Sequence, residues 1–261
     1  MTQSDSNGRE GWTGEAMPDG MRRGGKQSVY LWNGGQGLEI EMVYVPPGPF
    51  LMGTEAGNAD ERPQHNHPMP AGFYISRHAT TWRAFRRYCD ATQRNEPRAS
   101  PRVSRDDQPV VNVTWDEAAA FCRWAGLKLP SEAQWEKAAR GTDGRTYPWG
   151  WDRPTPALCV MGRYMRDGSN ARVGTCPLGA SPYGALDMVG NVWEWCDDWY
   201  RVDSYEHYSR GDVRAPRSGR FRVSRGGSWD RDPKSVRAAV RDRQLPDRRG
   251  AFLGFRPTCT A

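Results

Sequence analysis

Few residues in this chain are of types that do chemistry, and they are scattered. Six cysteines stand at Cys89, Cys122, Cys159, Cys176, Cys196 and Cys259. No two have C-x-x-C spacing, which argues against a zinc site. Cys159 and Cys176 share a Gly/Pro-rich loop and are the one pair to watch for a disulfide. His65 and His67 form an H-x-H with no further ligand type nearby, which predicts a solvated loop rather than a metal site. The run from Asp187 to Glu194 (DMVGNVWE) alternates carboxylates with turn carbonyls, an oxygen-rich set that can wrap a hard cation. The competing reading is that Glu194 caps or pairs with an arginine. Asp197 and Asp198 are adjacent carboxylates, which an extended chain sends to opposite sides. Trp193, Trp195 and Trp199 read as core, with Cys196 among them as a small apolar residue.

Three helices carry start and stop signals. One is predicted from about Thr80 to Ala91, with Trp82, Phe85, Tyr88 and Cys89 on one face. In the next, Thr114 and Glu117 form a capping box, and Gly126 ends the helix left-handed. The third opens on Ser131 and Gln134 and stops at Gly141. Strands are predicted at 28–33, 38–45 and 221–229, with extended PFLMG and LGFRPT segments. Beyond residue 141 turn residues and aromatics mix, and WEWCDDWY reads as a turn-rich stretch. Residues 1–26 are polar and Gly-rich and read as a flexible arm; 27–261 reads as one domain.

Composition narrows the class. Apolar content is 37%, with 29 Gly and 20 Pro, which excludes a coiled coil or simple bundle. Twelve Trp, ten Tyr and seven Phe can still build a core from few large side chains. The formal charge is +6, and all but four of the 37 basic residues are arginine. Acids are interspersed, so nucleic acid is not the expected partner. No apolar run reaches membrane-spanning length and residues 1–26 hold no apolar signal core, so the expected location is cytoplasmic, with reduced thiols.

Seven blocks occur in order: GPFLMG (48–53), ERPQH (61–65), PVVNVTWDEAAAFCRWAGLKLPSEAQWEKAARG (109–141), YPWG (147–150), YGALDMVGNVWEWCDDWY (183–200), RVSRGGSW (222–229) and LGFR (253–256). Together they resemble the formylglycine-generating enzyme, or sulfatase-modifying factor, family. The resemblance implies an α+β fold, C-type-lectin-like and low in regular secondary structure. It also implies calcium at the 187–194 motif, with side-chain oxygens from Asp187 and Glu194 and backbone carbonyls from Gly190 and Val192. A second family calcium site has its first half matched by Asn170 and Ala171, without the acidic second half.

Members that oxidise a sulfatase cysteine hold copper(I) with two thiolates shortly after the Gly-Gly-Ser turn. Here that stretch is Asp230 to Arg237, without a cysteine, and Asp230 and Asp232 are hard ligands unsuited to copper(I). No copper is expected. The iron-dependent sulfoxide synthases of this fold carry an N-terminal H-x-x-x-H-x-E motif, for which residues 1–26 offer no histidine. The segment 222–256 resembles instead the variable region of target proteins of diversity-generating retroelements. In that register the fixed scaffold includes Trp229, Arg241 and Arg256. The variable, ligand-binding positions are Asp230, Arg231, Asp232, Lys234, Ser235, Val240, Asp242, Arg243, Gln244, Arg248, Gly250, Ala251 and Phe252. The implied function is non-catalytic binding, with a protein ligand first and a small molecule or carbohydrate as further options. The alternative is a formylglycine-generating-type oxidoreductase acting on a peptide cysteine through an unrecognised metal site.

Overall fold

The computed structural model describes residues 17–25, 28–35, 37–100, 104–162 and 169–261. Three helices form where the local signals place them. Helix α1 (Trp82–Thr92) is capped by Thr81. Helix α2 (Trp115–Trp124) has the Thr114/Glu117 box, and α3 (Glu132–Arg140) the Ser131/Gln134 box. Gly126 and Gly141 follow with φ of 71° and 72°. A fourth helix, α4 (Ser204–Ser209), is short and carries no side-chain cap.

Eleven strands make three sheets among the described residues. The larger has the order β1-β2-β3-β6-β11, from Met21–Arg23, Val29–Asn33, Glu39–Val45, Phe73–Ser76 and Thr258–Thr260. The second has the order β10-β7-β8-β9, from Leu253–Phe255, Trp193–Trp199, Arg222–Arg225 and Arg241–Gln244. A two-stranded ribbon joins β4 (Phe50–Met52) to β5 (His65–His67). Among these strands only β10 and β7 pair in parallel.

The main core lies between α1, α2 and the sheets. Phe85, Phe121 and Phe255 pack together, with ring centroids 5.3 to 6.2 Å apart. A second cluster joins Val43, Ile75, Trp135, Met188 and Cys196, so the underside of α3 seals the space between the sheets. Burying such large side chains stabilises by about 1.5–3 kcal/mol each.

Three expectations need correction. Residues 21–23 of the predicted arm form β1, paired with β2; residues 1–16 and 26 lie outside the described residues. WEWCDDWY is strand β7 and not turns. It shows no apolar alternation because both of its faces are covered: Glu194 is 1% exposed and Asp198 7%. The segment 241–244 is a strand as well. His65 and His67 are buried, packed edge-to-face against Tyr205 and Tyr208 of α4. Their ring nitrogens lie 3.3 Å apart, and burial pushes His67 down to about 4.

Candidate ligand-binding surface

The surface rests on an ionic frame. Arg225 on β8 and Arg241 on β9 are cross-strand neighbours, and both reach down to α3. Arg225 donates to Glu132 at 2.8 Å, to Glu136 at 2.6 Å, to the Tyr205 hydroxyl at 3.0 Å and to the Ala238 carbonyl at 2.8 Å. Arg241 grips both oxygens of Glu132 at 2.7 and 2.9 Å. Burial alone would raise the Glu136 carboxyl, but Arg225 and Arg140 hold it down at about 2. Arg237 forks onto Glu61 at 2.6 and 2.9 Å, and Arg241 also donates to the Asp60 carbonyl at 2.8 Å. Three arginines therefore pin the segment 225–241 to α3 and to the loop before β5. Bidentate guanidinium–carboxylate pairs fix orientation as well as distance.

Between these anchors the chain turns at Gly226 and Gly227, with φ of 99° and 74°. Asp232 caps the turn 233–235, accepting from the Lys234 and Ser235 amides. The candidate positions divide by exposure. Asp232, Lys234, Arg243 and Arg248 are exposed; Asp230, Arg231, Ser235, Asp242, Gln244, Ala251 and Phe252 are half-buried. Val240 and Gly250 are buried, and Val240 packs into the main core, so it presents no side chain to a ligand. Trp229 is buried as the scaffold reading implies, its indole donating to the Ala251 carbonyl at 3.2 Å. On the other face of β8, Arg222 lies between the Trp115 and Trp199 rings at 3.6 and 3.7 Å. That stacking leaves Trp199 half-buried, whereas Trp193 and Trp195 are core.

Asp198 lies below the same sheet. Its carboxylate accepts the Glu132 amide at 2.7 Å, and Asp197 faces out. Burial, with Glu132 adding, raises Asp198 to about 7. The folded protein thus holds this proton more tightly than the unfolded chain, and this group's contribution to stability falls as pH rises from about 4 to 7. Asp198→Asn keeps an acceptor for the amide and removes the charge. The variant's thermal midpoint is expected above wild type at pH 8, with the gap closing toward pH 5; an equal gap at both pH values contradicts this.

The 187–194 motif is a turn that locks neighbouring loops. Asp187 and Asn191 adopt φ of 54° and 60°. Asp187 accepts the Gly174 amide at 2.6 Å, and Asn191 exchanges bonds with Ala171 at 2.9 and 3.3 Å. Glu194 is gripped by Arg256 at 2.6 and 2.8 Å and by the Trp135 indole at 2.8 Å. The arginine pairing foreseen for Glu194 is therefore present. Asp187 is buried, and burial raises its carboxyl to about 6, with Glu194's charge adding. Among the described residues no three His, Cys, Asp or Glu side chains gather as a metal site, so a cation here would lean on backbone carbonyls. The donors are all oxygen, as a hard cation requires, and a positive ion beside Asp187 would offset the burial that raises it, while Glu194 would have to share its oxygens with Arg256 and the Trp135 indole. The Asn170 side-chain oxygen Oδ1 is buried without a hydrogen-bond partner.

All six cysteines are thiols outside any disulfide, and all but Cys259 are buried. Burial raises Cys159 and Cys259 to about 12 and Cys89 to about 11, and it raises Cys122 and Cys196 well above the ordinary value. Those five thiols are poor nucleophiles. The sequence missed the carboxylate half of the frame. Nothing local marks Glu61, Glu132 and Glu136 as buried, and their arginines come at least 89 positions later. Capping spacing alone offers no signal for such partners.

Residues 33–260 match the family described as the sulfatase-modifying factor enzyme 1-like domain. Hercynine oxygenase of Mycolicibacterium smegmatis is 35% identical over 85% of this chain, and the match spans 62% of that relative's length. Formylglycine-generating enzyme of Streptomyces coelicolor is 33% identical over 85% of this chain and 68% of its own. Among solved structures, PvdO from Pseudomonas aeruginosa superposes with a TM-score of 0.76 at 25% identity, covering 89% of this chain and 98% of PvdO. Treponema denticola variable protein 1 superposes at 0.72 and 21% identity, covering 90% and 100%, and so shares the fold. The architecture is the C-type-lectin-like α+β fold of these proteins, and by the match over 33–260 the chain belongs to the sulfatase-modifying factor enzyme 1-like family.

Proposed function

We propose that this chain is a non-catalytic binding protein of the type that diversity-generating retroelements vary, and that it takes a protein ligand at residues 230–252. One observation carries the reading. From 229 to 243, buried anchors (Trp229, Val236, Ala238, Arg241) alternate with exposed side chains (Asp232, Lys234, Arg243), so the outer residues can change while the frame stays. The sequence also places no cysteine between Cys196 and Cys259. The first test is genomic. A near-copy of the codons for 222–256 beside a reverse transcriptase gene, differing mainly at adenines, is expected; its absence overturns the retroelement reading. The names of the curated relatives favour a second reading, oxidation of a peptide cysteine or another small substrate. Turnover of a cysteine peptide with stoichiometric bound copper would establish it in place of the first.

Calcium is part of the proposal. Asp187 and Glu194 would hold it through side chains, and Gly190 and Val192 through carbonyls. Millimolar calcium is expected to raise the thermal midpoint, EGTA to reverse this, and Asp187→Ala to abolish the response. An unchanged midpoint in wild type counts against the site.

A further inference from the structure

A ladder of guanidinium groups and rings climbs from the ionic frame to the margin of the second sheet. Arg241 and Arg243 are two apart on β9, so both side chains leave the same face of the strand. Both guanidiniums lie against the Tyr200 ring, 4.9 and 5.0 Å from its centroid. Arg243 also reaches the Phe221 ring at 6.0 Å, and Arg220 covers that ring at 5.3 Å. Polar bonds tie the same members together. The Tyr200 amide donates to the Phe221 carbonyl at 2.8 Å, and Arg243 Nη1 donates to the Tyr200 hydroxyl at 3.3 Å. Each rung therefore touches the next. β9 is the terminal strand of its sheet, so no strand of that sheet lies beyond Arg243.

The two ends of the ladder differ in how their charge is met. At the buried end Glu132 takes Arg241. At the outer end Arg220 and Arg243 are exposed, and among the described residues neither has a carboxylate within 4 Å. Neighbouring arginines do: Arg201 pairs with Asp203 at 2.9 Å and Arg214 with Asp212 at 2.7 Å. Two acids of the same surface are engaged otherwise. Asp60 accepts from the Tyr200 hydroxyl at 2.7 Å, while Asp242 accepts the Arg243 amide at 2.8 Å and the Gln244 side chain at 3.1 Å. A guanidinium laid on a ring is held through its flat face, and its in-plane N–H groups stay open to a planar, two-oxygen acceptor. Asp60 and Asp242 disfavour a phosphate backbone, with its dense negative charge, more than they disfavour single carboxylates.

We infer that Arg220 and Arg243 are the two prongs of a carboxylate-binding element, and that the partner is a protein segment presenting acidic side chains to both. Tyr200 and Phe221 hold the prongs in orientation. Arg220, Phe221 and Tyr200 precede residue 222, so this half of the element stays constant when the segment 222–256 changes. The inference rests on the binding reading above and adds to it the chemistry of the ligand and residues outside 230–252.

The test pans a displayed library of random twelve-residue peptides on the full chain, then measures enriched peptides against variants at fixed salt. Peptides carrying two or more Asp or Glu are expected. Arg220→Lys with Arg243→Lys keeps both charges and loses the forks, and is expected to weaken these peptides about 10-fold. Arg220→Glu with Arg243→Glu is expected to abolish the preference for acidic peptides. Both positions are exposed, and unchanged thermal midpoints exclude misfolding. Enrichment of basic or apolar peptides, or acidic peptides that either double variant binds as wild type does, overturns the inference. A thymidine strand of twelve nucleotides that binds more tightly than the peptides at the same salt also overturns it, and assigns the prongs to phosphate. If the enriched peptides are lost instead on Lys234→Ala with Arg248→Ala, the element fails while the surface at 230–252 stands. If no peptide enriches, or neither set of variants matters, both fail.

Discussion

Replacing Arg225 by methionine is expected to destabilise the protein by about 3–5 kcal/mol, the usual cost of removing one partner from a buried ion network. The side chain is fully buried and serves two carboxylates. Without it, Glu136 keeps only Arg140, at 3.0 Å, as a charged partner, and its low pKa cannot be held. For a domain of this size the loss corresponds to a midpoint about 10 °C lower. Urea unfolding at pH 7 measures the same quantity directly. The double variant Arg225→Met with Glu136→Gln should recover part of the loss, since it removes the stranded charge. A single variant within 1 kcal/mol of wild type (about a factor of five in the unfolding equilibrium) would mean that the frame does not support the surface.

The second large effect is expected at the turn. Gly227 has a φ of 74°, and a Cβ there would lie 2.5 Å from the Ser235 carbonyl oxygen. Gly227→Ala meets both the left-handed penalty of about 1–2 kcal/mol and a clash with backbone that cannot step aside. The expected response is a lower midpoint together with faster amide exchange across 228–236, because the loop must lift to admit the methyl. A variant with wild-type exchange in this loop contradicts the tight packing of the turn. Gly226 is similarly confined, since a Cβ there would lie 2.8 Å from the Met188 carbonyl oxygen, so the pair fixes where the candidate surface begins.

These sites show what a sequence can and cannot disclose. The three longer helices were legible because their signals are local: Thr114 and Glu117, or Ser131 and Gln134, lie three residues apart. The turn at 226–227 was legible for the same reason. Strand β7 was not. Its inward carboxylates look solvent-seeking until Arg256, 62 residues later, closes on Glu194 and the start of α3 closes on Asp198. The H-x-H motif was misplaced because Tyr205 and Tyr208 bury it from about 140 residues away. The candidate surface could be delimited from motif register, but Val240 shows the limit of register, since only packing tells an inward residue from an outward one.

The strand order carries a last consequence, for biosynthesis. Residues 253–255 add β10 to one sheet and residues 258–260 add β11 to the other. Arg256, between them, is fully buried and closes the Glu194 pair. Neither sheet is complete, and Glu194 has no guanidinium, until residue 260 has cleared the ribosome. Helices α1 to α3 can assemble while the chain is still growing, but this domain reaches its native state only after the last of its strands is made.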